Sequence, residues 1–203
     1  MSLIFKSEPS KVAEVVRNGL GRMASLRAFT TPRLAKIIAG FPEDRALTPP
    51  IPFQAMPVYH LGLEDLAEGR DLSAAIQTGW RYLLKHENEV VASADAILDA
   101  DRNPVFAQVN EGPLINGTVS AIQVANNEKG EYEIRFLMVP ALHTAALWLV
   151  DTTGRSNVAI PISPAPPYLM SDKPIPVREL LVVLQRAAIE RIRSNPSLFD
   201  RSN

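Results

Sequence analysis

The chain of 203 residues contains no cysteine. Disulfides, thiolate metal sites and a cysteine nucleophile are thereby excluded. No stretch approaches the roughly 18 uninterrupted apolar residues that a spanning helix needs. The opening residues, Met1 to Pro9, lack the apolar run of a secretory signal, so the cytoplasm is the expected location. Nucleotide fingerprints of the G-x-G-x-x-G or G-x-x-x-x-G-K-[ST] type are absent, and so is a G-x-S-x-G elbow. Net charge is also small, at −1, which gives the whole molecule no pull toward nucleic acid.

What is present is ordinary in bulk and uneven in distribution. The 46% apolar and 21% charged residues are those of a globular protein able to bury a core. Residues 1–40 carry seven basic and two acidic side chains, a balance of +5, whereas residues 86–133 carry two basic and nine acidic ones, a balance of −7.

The most apolar stretch runs from Tyr132 to Ser163 and is rich in β-formers. Thr152-Thr153-Gly154-Arg155 divides it as a hairpin turn, with Gly154 free to take positive φ. Further strands are predicted at 58–61, 89–98, 105–109 and 118–125. Helices are predicted over 8–23, capped by Ser7, and over 32–40, 71–86 and 176–193. Prolines 42, 49, 50, 52 and 57 make Phe41 to Pro57 an extended connector, excluded from a helix or a central strand.

The expected fold is therefore α+β. A curved antiparallel sheet of about five strands is packed by helices 71–86 and 176–193, with no helical crossovers between strands. The expected organisation is a helical N-terminal arm at 1–40, the connector at 41–57, a core domain at 58–195 and a loose tail at 196–203.

Chemistry-bearing patterns are sparse. Asp99-Ala-Asp101-Arg-Asn103 has the opening spacing of a calcium loop, but Pro104 replaces the required glycine, and a hairpin turn is expected instead. The three histidines, His60, His86 and His143, share no ligand spacing, so no metal site or cofactor is expected. His143 lies inside the apolar stretch. Its structural reading is a histidine satisfied by a backbone carbonyl. Its catalytic reading is a general base oriented by Asp95 or Glu133. Ser93, Ser120 and Thr144 are the candidate nucleophiles. Trp80 and Trp148 sit in apolar patterns and are expected in the core.

Three functional classes follow. The first is a non-enzymatic binding or assembly module, self-associating as a homodimer through the basic arm. The second is a small-molecule enzyme using His143 with Asp95 or Glu133. The third is a peripheral membrane protein bound through the basic helix, although that helix lacks Trp and Phe anchors. No nucleic-acid partner is expected, because aromatics are not interleaved with the basic residues.

Overall fold

A computed structural model describes residues 2–26, 52–86, 89–153 and 156–195. The predicted helix at 32–40, most of the connector, Gly154 and the tail lie outside these residues. The described chain is mixed α+β, built on one open sheet of nine strands. The strands are β1 (Ser2–Ile4), β2 (Pro52–His60), β3 (Ile76–His86), β4 (Glu89–Leu98), β5 (Pro104–Asn110), β6 (Glu131–Val139), β7 (Thr144–Asp151), β8 (Val158–Pro161) and β9 (Ile175–Pro176). The helices are α1 (Ser10–Ser25), α2 (Leu63–Ala67), α3 (Pro113–Ala125) and α4 (Val177–Ser194). Their order across the sheet is β5-β4-β3-β2-β6-β7-β8-β9. Strand β1 shares the flank of β6 with β2: Ser2–Ile4 pair with Glu131–Glu133, and Val58–His60 pair with Phe136–Met138, both in parallel. The sheet is thus mainly antiparallel, with two parallel contacts at its centre.

Two elements differ in kind from the sequence expectation. Residues 71–86 are not a helix; Leu72–Ala74 form one 3-10 turn and Ile76–His86 form β3. The apolar spacing misleads because β3 is covered on both faces, so Gly79 to Leu84 are all buried and no alternation survives. Gly79 was the contrary signal. A Cβ there would collide with the Ala96 carbonyl of β4, a close approach suited to a strand. Residues 118–125 are not a strand but the body of α3. Gly112-Pro113 starts this helix, and Ile115, Thr118, Ala121, Ile122 and Ala125 form its buried stripe. Thr118 satisfies its hydroxyl by donating to the Leu114 carbonyl at 2.7 Å. Helix α3 carries the chain from edge strand β5 to β6, which is a helical crossover.

Two smaller differences are local. Pro52–Pro57 belong to a central strand, β2. Pro57 is tolerated because pairing to β6 begins only at Val58, so up to that point β2 has one neighbour, β3. Helix α1 is preceded by Pro9 at its N-cap and carries no side-chain cap from Ser7.

Three apolar clusters fix the layers. Under α1, Val12, Val16 and Leu20 pack on Trp80, Tyr82 and Ala94. Each such side chain removed from water contributes about 1.5–3 kcal/mol as an upper figure. The stripe of α1 is thus buried against β3 and β4. Under α3, Met56, Phe136, Leu147 and Ile160 form the second cluster. On the opposite face, Leu180, Leu184 and Ala188 of α4 and Leu66 of α2 cover Leu137, Val139 and Trp148. No helix among the described residues is long and apolar enough to cross a membrane.

Candidate functional site

The β6–β7 connection places His143. Pro140–Leu142 form a 3-10 turn, and His143 follows in left-handed backbone, φ 49° and ψ 38°. A non-glycine residue there is uncommon, though histidine is among the more tolerant. The His143 amide donates to the Pro140 carbonyl at 3.0 Å, and its side chain is exposed. It lines a cavity of about 590 Å³ at the C-terminal end of α4, together with Tyr168, Glu190 and Arg191. Leu142, Ala165 and Ala187 supply apolar wall, and the Tyr168 hydroxyl donates to the Leu142 carbonyl at 3.4 Å.

Neither carboxylate expected beside His143 is near it. Asp95 lies on β4, four lanes from β7, which at the usual strand spacing is roughly 19 Å. It is also on the other face, under α3. There the Arg81 guanidinium donates to both Asp95 oxygens at 2.8 Å, and Arg81 lies 4.4 Å above the centre of the Phe136 ring. Asn110 donates to Asp95 Oδ2 at 2.8 Å and Gln108 at 3.3 Å. Glu133 sits opposite Val150, while the hairpin end is the pair Val139–Thr144. Those six steps along β6 span roughly 20 Å. Glu133 accepts from Arg135 Nε at 2.8 Å. Glu190 is the carboxylate that shares the cavity of His143.

The candidate nucleophiles are similarly occupied or hidden. Ser93 is fully buried beside Asp95 on β4. Thr144 is buried and donates its hydroxyl to the Leu142 carbonyl. Ser120 lies on α3, on the far side of the sheet from His143.

A second cavity, of about 540 Å³, lies at the other end of the same helix. Its floor is the β6–β7 pair Arg135–Trp148, with Tyr59 beside it, and its walls include Asp71 and Leu181. The Arg135 guanidinium is 4.7 Å from the Trp148 ring centre and 5.1 Å from that of Tyr59. The rings themselves meet edge to face at 5.4 Å. Hydrogen bonds from the Ser73 side chain and amide hold the Asp71 carboxyl below its ordinary range. The sequence reading passed over Arg135. Its signal was a cation set between Ile134 and Phe136 in the most apolar stretch of the chain.

The remaining expected features are placed plainly. The Asp99–Asn103 segment is the β4–β5 turn, in which Asp99 Oδ1 accepts from the amides of Asp101 and Asn103. Among the described residues, no three His, Asp or Glu side chains gather to hold a metal ion. Trp148 is 6% exposed and Trp80 4%, as core residues. His60, at the end of β2, is pushed below its ordinary pKa by burial and then by the charge of Arg81. No family model, no curated protein and no solved structure matches this chain, which leaves the chemistry of these sites to speak for its function.

Proposed function

We propose that the chain is a non-enzymatic binding module that holds a small, largely apolar ligand in the cavity walled by His143, Tyr168 and the last turns of α4. The observation that carries this reading is the cavity itself: about 590 Å³, apolar on most sides, with a few polar groups at its margin. Clefts of roughly 300–1,000 Å³ with that composition are the usual form of a small-ligand site. The left-handed backbone at His143 supports it, because such strain persists where the surroundings hold a side chain for use. Glu190 and Arg191 carry opposite charges, which favours a neutral ligand with one or two hydrogen-bonding groups. Engagement of Asp95 and Glu133 by arginines favours binding over general-base catalysis.

The test uses the full chain and the uncharged fluorescent probe N-phenyl-1-naphthylamine. Its emission is expected to rise on the native protein and to fall back in Ala187→Phe, which fills the cavity, while the melting temperature stays within a few degrees. Equal emission in both proteins sinks the reading. A second reading rests on Glu190 sharing the cavity of His143, where it takes the orienting role expected of Asp95 or Glu133. Turnover lost in His143→Ala and in Glu190→Gln, with both folded, supports that reading over the first.

A further inference from the structure

We infer that the second cavity, at the N-terminal end of α4, binds an organic monocarboxylate bearing an aromatic or conjugated group, with Arg135 as the receptor of the carboxylate. The geometry of Arg135 is the starting point. Glu133 uses only its Nε–H, at 2.8 Å. The two terminal nitrogens make no hydrogen bond among the described residues, yet the side chain is only 21% exposed. A guanidinium fork presented in this way matches the two oxygens of a carboxylate. The guanidinium carbon sits within about 5 Å of both the Tyr59 and Trp148 ring centres, which restricts where the fork can move.

A second observation is independent of Arg135. Trp148 lines the cavity, and its Nε1–H is shielded from solvent with no hydrogen-bond partner. A buried donor left unpaired costs about 1–3 kcal/mol, and a ligand oxygen that reaches it recovers that cost. The cavity therefore offers a carboxylate two donors with no protein acceptor, both on Arg135, and the unpaired Trp148 Nε1–H lies shielded in its wall. Leu181 and Val150 supply apolar wall for the rest of the ligand. Charge sets the limit at one negative group. Glu133 already balances part of Arg135, and Asp71, ionised over a widened pH range, faces the same space.

The test is an amide and indole N–H spectrum of the ¹⁵N-labelled full chain during titration with benzoate, inorganic phosphate or benzylamine. The two indole signals are assigned with Trp80→Phe, and Trp80, under α1, is the internal control. Benzoate at millimolar concentration is expected to shift the Trp148 signal and leave Trp80 in place. Phosphate, which lacks a ring, and benzylamine, which lacks an anion, are expected to shift neither. Arg135→Gln is expected to weaken benzoate binding about tenfold, the loss of one charge-assisted contact. Should that variant fail to fold, Glu133→Gln serves instead, and benzoate is expected to bind several-fold more tightly. An unmoved Trp148 signal, an equal response to benzylamine, or benzoate binding unchanged in these variants overturns the proposal. An equal response to phosphate overturns its aromatic part.

Discussion

Arg81 and Asp95 face each other across β3 and β4 and are joined by two parallel hydrogen bonds of 2.8 Å, with 4% and 8% of their surfaces exposed. Removing water from two charges is costly, and their attraction offsets that cost only while both are present. Asp95→Ala is therefore expected to destabilise the fold by about 3–5 kcal/mol in urea unfolding, since it strands the arginine. Replacing both, Arg81→Met with Asp95→Leu, is expected to recover most of that loss. A double variant no more stable than Asp95→Ala would show that the pair holds more than its own charges.

The contact between α3 and the β8 exit gives a steric prediction. A Cβ on Gly117 would meet the Ser163 carbonyl oxygen. Gly117→Ala is expected to cost about 1–3 kcal/mol despite the better helix propensity of alanine. A rise in melting temperature would mean that α3 can lift from this strand without loss.

His60 makes a pH prediction. Its pKa in the folded chain lies below the ordinary histidine value, through burial first and the Arg81 charge second. The unfolded chain therefore binds the extra proton more readily. Stability from this group is full above about pH 6.5 and falls as pH drops from there through the folded pKa. Melting temperatures of the parent chain and His60→Gln, measured from pH 7.5 to 5, are expected to converge on the acid side. Parallel curves would count against the assignment.

The burial of α1 predicts how the N-terminal segment fails. Leu20, on the buried face of α1, is 1% exposed, so Leu20→Ala is expected to cost about 2–5 kcal/mol. A chain starting at Thr48 loses both α1 and β1, and is expected to lose cooperative unfolding. A stable, cooperatively folded species starting at Thr48 would show that the rest of the sheet stands without α1.

The sequence was legible where periodicity had one reading. Strand β4 alternates apolar with polar residues and helix α4 carries its stripe, so both were found close to their observed bounds. It was illegible where burial on both faces erased the alternation, as in β3, or where β-branched residues filled a helix, as with Thr118, Val119 and Val124 in α3. The site was less legible than the fold. His143 stood out because a histidine in an apolar run is visible along the chain. Arg135 needed the register that brings Trp148 opposite and Tyr59 alongside, and register is a property of the folded sheet.

The shared flank of β6 has a consequence in time. Ser2 pairs with Glu131, so during synthesis β1 has no partner on β6 until the chain has grown through every element between them. At about 5–20 residues per second, that wait is on the order of ten seconds. Strands β3, β4 and β5 connect by short turns and need no such delay. The β3–β5 meander is thus expected to order first, with β1 held open until β6 arrives to receive it.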